Sequence, residues 1–191
     1  SYTAVTITQG IRSYGASTQA KTKIKLAKAY RRFLTNKKLI LNWKGSPLSY
    51  KEPEILTEVR GGKSTKWEYK IKPFKLKGRT VKGRYGIYKP MGKGAGVKSQ
   101  TTHAGITAFW RNRVILTRDR GWWPKKIFGE AAGNHVRQRM FLHLDLDLDP
   151  NALKKDFMWD HYSKEMLEKA IIEETNHHIL KVKDYAYKYI S

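Results

Sequence analysis

Leu144-Asp145-Leu146-Asp147-Leu148-Asp149-Pro150-Asn151-Ala152-Leu153-Lys154-Lys155-Asp156-Phe157-Met158-Trp159-Asp160 is the stretch on which the fold turns. Leucine alternating with aspartate has the period of two that puts successive side chains on opposite faces of a strand. Carried back to Met140, the pattern places Leu142, Leu144, Leu146 and Leu148 on one face and His143, Asp145, Asp147 and Asp149 on the other. Such a strand buries its leucines against a second layer and leaves its acids wet. Pro150 ends it, because proline lacks the N–H that a ladder needs. Two lysines and the aromatic anchors Phe157 and Trp159 follow, just before a helical pattern. A turn that delivers a lysine sets one compact positive charge against one phosphate. Three aspartates on one face offer carboxylates to a hard cation instead. Same-face positions lie about 6–7 Å apart, so two of them share an ion only if the strand bends. No further carboxylate cluster nearby completes such a site, and the solvated face of a strand is the stronger reading.

Outward from this stretch, residues 161–180 read as a helix. Met166, Leu167, Ala170 and Ile171 recur at helical spacing, accompanied by Glu165, Glu168, Glu173 and Glu174. Tyr185, Tyr187 and Tyr189 either extend that helix or pair as a strand. His177 and His178 are adjacent, and a helix points neighbours about 100° apart, a poor chelating pair. His103, His135, His143 and His161 show no ligand spacing, and no Ser-His-Asp or nucleophile-elbow pattern is visible.

Upstream, Lys66 to Leu76 and Val81 to Tyr88 read as strands around a hairpin turn at Lys77-Gly78-Arg79. Gly105 to Leu116 reads as a strand pair or a strand with a bend, and Arg111-Asn112-Arg113 between its apolar runs as a tight turn with two cations. Residues 117–130 are irregular and aromatic, and their tryptophans pack a loop onto the sheet rather than stacking on bases. The segment Lys89 to Ser99 is rich in glycine and lysine. It is not a Walker loop, because Val97 separates Gly96 from Lys98. It reads as a basic loop in which Lys93 and Lys98 can meet a nucleic-acid phosphate.

Farther back, residues 48–62 read as a loop, and Leu39 to Trp43 as a strand with its turn at residues 44–47. Residues 18–35 carry two helical stripes. Leu26, Tyr30, Phe33 and Leu34 form an apolar one. Lys21, Lys25, Lys28 and Arg32 form a purely basic one, whose like charges repel by a few tenths of a kcal/mol per pair unless a polyanion lies there. Residues 2–8 alternate as a strand. The order of elements gives an α+β fold, a mixed or antiparallel sheet with helices on one side, over a single domain 1–191 with a C-terminal helix 161–180 and a tail.

Composition points to the partner. The chain has 191 residues, 39 Lys/Arg and 16 Asp/Glu, a net charge of +23. Residues 1–140 hold 32 Lys/Arg against 6 Asp/Glu, and residues 141–191 hold 7 against 10. That imbalance favours a polyanion, nucleic acid before an acidic membrane. The absence of cysteine excludes disulfides and thiolate metal sites. No apolar run approaches membrane-spanning length, and no secretory signal is evident. The chain opens Ser-Tyr-Thr-Ala-Val-Thr without methionine, which suggests a piece of a longer protein.

Four blocks in order carry a family resemblance: Lys28-Ala29-Tyr30-Arg31-Arg32-Phe33-Leu34 with the strand and turn Leu39 to Gly45; Val81 to Pro90; Gly105 to Ile115 with Trp123-Pro124 and Ile127-Phe128-Gly129; and the Leu-Asp strand with Lys154 to Trp159. Together they resemble the transducer domain of GHKL-type ATPases, the superfamily of gyrase B, MutL, MORC proteins and Hsp90-like ATPases. The resemblance spans nearly the whole chain and implies a transducer (ribosomal-protein-like) fold. It also implies a neighbouring nucleotide domain that holds ATP and Mg2+, and a parent that forms a homodimer. Lys154, with Lys155 as the rival, would then be the switch that reaches the γ-phosphate of that ATP. Ala152 and Leu153 stand where the family usually has polar residues. The Asn/Glu helix, the Asp-x-Gly-x-Gly turn and the glycine-rich lid of the nucleotide domain are absent from this sequence. This chain alone is therefore not expected to hydrolyse ATP. The resemblance and the charge together suggest a coupling module that meets the DNA phosphate backbone without reading sequence, through Lys21, Lys25, Lys28, Arg32, Lys93, Lys98, Arg111 and Arg113. The alternative is a stand-alone nucleic-acid-binding or structural module without ATP coupling. The compartment expected is the cytoplasm (nucleoid) or the nucleus.

Overall fold

Lys77 and Gly78 both take positive φ, 48° and 76°. That is the two-residue turn whose twist matches that of the strands it joins. It closes a hairpin of β5 (Glu68–Leu76) and β6 (Arg79–Ile87), the expected pair within a residue or two at each end. In this computed structural model the description covers residues 15–90, 103–117, 122–130, 135–147 and 163–188. The expected strand at residues 2–8, and Lys93, Lys98, Asp149, Lys154, Lys155, Phe157 and Trp159, lie outside the described residues. The chain divides into two compact units, Ser1–Tyr50 and Lys51–Ser191.

The first unit holds α1 (Ala16–Ala29) and α2 (Arg31–Thr35), where one helix over 18–35 was expected. The break falls at Tyr30, whose φ of −109° and ψ of 17° leave the helical region. Ala27 is buried, and Leu26, Tyr30, Phe33 and Leu34 are half-buried, so the apolar stripe exists. Arg31 is buried beside it, its guanidinium 5.6 Å over the Tyr50 ring and 3.5 Å from the Tyr50 hydroxyl. The expected strand at 39–43 shortens to β1 (Asn42–Trp43), paired with β2 (Ser46–Pro47) around Lys44 and Gly45.

The second unit is built on a sheet of five strands in the order β5-β6-β9-β7-β8, where β7 is Gly105–Trp110, β8 is Arg113–Thr117 and β9 is Met140–Leu146. The Leu-Asp strand is thus the central one. It runs antiparallel to β6 and parallel to β7, which makes the sheet mixed. Part of the expected loop 48–62 is a further hairpin, β3 (Thr57–Arg60) with β4 (Lys63–Lys66), turned by Gly61 and Gly62. Pro73 lies in the register shift of β5 between Ile71 and Phe74, the kind of place where a missing N–H is tolerated.

One face of the sheet is apolar. Ile71, Phe74, Val81, Ile87, Ile106, Ala108, Leu142, Leu144 and Leu146 meet four helices there: α3 (Lys125–Phe128), α4 (His135–Arg139), α5 (Lys164–Glu174) and α6 (His178–Lys188). Ile127, Phe128, Val136, Leu167, Ile171, Ile179 and Val182 supply the helical side of this core. Each such side chain contributes about 1.5–3 kcal/mol when fully buried, so this layer outweighs any surface ion pair. The tryptophans belong to it as well. Trp122 is buried, and Trp123 donates from Nε1 to the Gly129 carbonyl at 2.8 Å beneath the Arg137 guanidinium, consistent with packing over base stacking.

The helix expected over 161–180 is two helices. Ser163 caps α5, its hydroxyl accepting from the Met166 N–H at 3.0 Å, and α5 ends at Thr175. Asn176 and His177 then take φ of 47° and 60°, which a continuing helix cannot hold. The segment with Tyr185 and Tyr187 is α6, not a strand. Trp67 stacks on Tyr185 at 3.8 Å, and Trp67 Nε1 and the Tyr185 hydroxyl both donate to Glu58, which pins α6 to β3. Among the described residues, no helix is long and apolar enough to cross a membrane.

Candidate functional site

Pairing across the five strands builds the other face row by row. Lys70, Arg84, His143, Thr107 and Thr117 are aligned in one row. On one side of it lies the row Glu68, Gly86, Phe141 and Gly105. On the other lie Lys82, Asp145 and Phe109, followed by Lys75 and Thr80, with the Asp147 N–H donating to the Thr80 carbonyl at 3.0 Å. This face was expected to be wet along β9. Asp147 is exposed and Asp145 half-buried, but His143 is only 1% exposed. Alternation gives the side of a sheet, and here that side is covered over its first half.

The covered half is a closed polar network. Arg84 places one arm on Glu52 at 2.7 and 2.8 Å and the other on Glu68 at 2.5 Å. The Tyr88 hydroxyl donates to Glu52 Oε1 at 3.1 Å. His143 Nε2 lies 3.4 Å from that hydroxyl, and its Nδ1 3.6 Å from Glu52. Phe141 lies under the Arg84 guanidinium and stacks on Tyr88 at 4.4 Å. Burial disfavours the Arg84 charge, but Glu52 and Glu68 outweigh that and hold its pKa above the usual arginine value. For Glu68 burial pushes the pKa up, but hydrogen bonds and charge from Lys66 and Arg84 win and leave it lowered. These groups satisfy one another, so the network holds the face rather than awaiting a ligand. Two glycines let β6 lie close to its neighbours, Gly83 on the apolar side and Gly86 on the polar side. A Cβ at Gly83 would lie 2.2 Å from the His143 carbonyl oxygen, and one at Gly86 2.1 Å from that of Trp67.

The open half is a groove of about 380 Å³, lined by Thr80 and Lys82 of β6, Phe109 and Trp110 of β7, the turn residues Arg111 and Asn112, Asp145 and Leu146 of β9, and Asp147 just after it. Arg111 and Asn112 form the expected tight turn, both at positive φ. The Arg111 guanidinium lies 4.9 Å from the centre of the Trp110 ring. Because β7 and β9 are parallel, this groove lies at the carboxyl ends of both, where sheets of parallel strands commonly bind ligands. Beside it, the β5–β6 hairpin exposes Lys70, Lys72, Lys75, Lys77 and Lys82.

The residues singled out from sequence fall in different places. Arg111 lines the groove, and Arg113 is exposed at the start of β8. Lys21 and Lys25 are exposed on α1, while Lys28 and Arg32 are half-buried in the first unit. The structure therefore brings Arg111 together with Lys82, a residue not singled out. The hairpin lysines were also missed, although their signal was present. They occupy the solvent positions between Tyr69, Ile71, Phe74 and Val81, whose apolar alternation drew the reading. Asp145 and Asp147 both line the groove, and no group of three His, Asp or Glu that could hold a metal occurs among the described residues. His177 lies in the turn between helices, and His178 Nδ1 meets the Tyr85 hydroxyl at 2.9 Å, which ties α6 to β6. No protein-family model, no curated protein and no solved structure matches this chain.

Proposed function

We propose that this chain is the coupling module of a GHKL-type ATP-driven machine and that it holds the phosphate backbone of nucleic acid, DNA first, without reading sequence. The observation that carries the nucleic-acid part is the row of exposed lysines on one hairpin, Lys70, Lys72, Lys75, Lys77 and Lys82, beside the groove with Arg111. Strand geometry spreads Lys70 to Lys75 over about 15 Å, a span along which a duplex presents many phosphates. The coupling part rests on the resemblance and on β9, a central strand that runs into residues 148–162 from beside the groove. In this reading Lys154 or Lys155 contacts the γ-phosphate of ATP held with Mg2+ by a neighbouring nucleotide domain, and loss of that phosphate releases the contact. In the same reading the nucleotide and its Mg2+ belong to that neighbour. Homodimerisation of the parent and a nucleoid or nuclear location belong to the same proposal.

The second reading, a nucleic-acid-binding module without ATP coupling, uses the same lysines and no switch. Binding of a labelled duplex by this chain tests what the two share. Affinity is expected to fall steeply with salt, and reversing Lys70, Lys72 and Lys75 to glutamate is expected to weaken it at least tenfold and flatten the salt slope by about 3. Affinity that does not change between low and physiological salt would overturn both. Lys154→Ala and Lys155→Ala in a protein carrying the nucleotide domain separate them, because ATP turnover is expected to fall only if coupling exists.

A further inference from the structure

We infer that the groove at the ends of β6, β7 and β9 is a subsite for one unpaired guanine nucleotide of a bound strand. The inference rests on the nucleic-acid reading above and deepens it. Charge is the leading observation. In a chain of net +23, this groove sets Asp145 and Asp147 against Lys82 and Arg111. A track that met only phosphates would gain nothing from carboxylates, which repel them. An ionised carboxylate is an acceptor only, with two oxygens side by side. Guanine presents two adjacent donors on its pairing edge, N1–H and the N2 amine, which match that geometry. Adenine and cytosine set one donor beside an acceptor, and thymine sets one donor between two acceptors. Unpaired bases are commonly recognised through this edge.

Size and surroundings agree. About 380 Å³ falls in the range of small-molecule pockets and suits one nucleotide rather than a duplex. Asn112 adds an amide that can donate to the guanine O6. Arg111, braced over Trp110, offers a planar fork to a phosphate or a base face. Lys82 belongs to both the groove and the hairpin lysines, so a strand tracked along the hairpin passes the opening.

Fluorescence anisotropy with short labelled oligothymidylates tests this, each carrying one central guanine, adenine, cytosine or hypoxanthine, with the all-thymine strand as reference. The guanine strand is expected to bind about tenfold tighter than the adenine, cytosine and all-thymine strands, with hypoxanthine, which lacks the N2 amine, in between. In the double variant D145N/D147N every strand gains affinity because carboxylates are removed, but the guanine-to-thymine ratio falls toward one. Equal affinity of the wild type for all strands, with steep salt dependence intact, overturns the guanine subsite and leaves the phosphate reading standing. A guanine preference that survives in the double variant overturns its placement in this groove. Loss of all salt-sensitive binding in the wild type overturns both readings.

Discussion

Arg84 decides how the polar face holds together, because its guanidinium bonds both Glu52 and Glu68. Replacing it with methionine keeps the bulk over Phe141 and takes from Glu52 and Glu68 the cation they share. The expected cost is about 2 kcal/mol, read as a melting temperature lower by about 4–8 °C. The sign of the pH effect follows from Glu68. Its folded pKa is lowered, so its stabilisation is present above the ordinary carboxylate value and is lost as pH falls through the lowered one. Melting curves below about pH 5 should therefore show a shallower acid limb in R84M than in the wild type. Tyr85 acts at the other end of the scale. Burial, helped by the nearby Tyr69, pushes its pKa up to about 12. A neutral hydroxyl is favoured by the fold, so this stabilisation is whole below the ordinary tyrosine value and fades as pH rises toward about 12. Y85F is expected to flatten that alkaline limb while losing about 1 kcal/mol at neutral pH with the His178 hydrogen bond. An unchanged alkaline limb would show that another group governs it.

Among the elements, β6 has least room to spare. Gly86→Ala drives a methyl into the Trp67 carbonyl, a backbone atom that cannot swing away, and is expected to cost about 3 kcal/mol in a denaturant titration. The turn between α5 and α6 predicts the opposite sign. His177→Gly relieves a left-handed residue and should gain about 0.5 kcal/mol, since the glycine entropy offsets part of the relief. The hairpins β5–β6 and β7–β8 and the central β9 were legible in the sequence, because a period of two and turn residues mark strands locally. The break at Asn176-His177 was not, because neither residue is a helix breaker and the helical period continues across it. The β3–β4 hairpin was hidden because β4 is exposed throughout and shows no alternation of burial, although Gly61-Gly62 marked its turn. Of the site, Arg111 was legible from its turn. The Glu52–Arg84–His143 network was not, because residues far apart in the chain meet only through the pairing of β6 with β9.

Over the whole molecule, charge sets the environmental response. With 39 Lys/Arg and 16 Asp/Glu, even complete pairing leaves a surplus of +23. Exposed ion pairs such as Lys89–Glu54 and Lys169–Glu173 contribute at most about 1 kcal/mol each, and the uncompensated repulsion is the larger effect. Raising salt from low to physiological strength should therefore raise the melting temperature while it weakens nucleic-acid binding. A melting temperature that falls with salt would mean that specific ion pairs dominate after all. The strand order has a consequence of another kind, for the order in which the chain can fold during synthesis. Of the five strands of this sheet, the last made is the middle one, so the β5–β6 and β7–β8 hairpins emerge as separate ribbons that share no ladder. Only when β9 has left the ribosome can it enter between β6 and β7 and join them. Until then the inner edges of both ribbons offer open backbone groups to any passing strand, and a pause in translation ahead of Met140 prolongs that exposure.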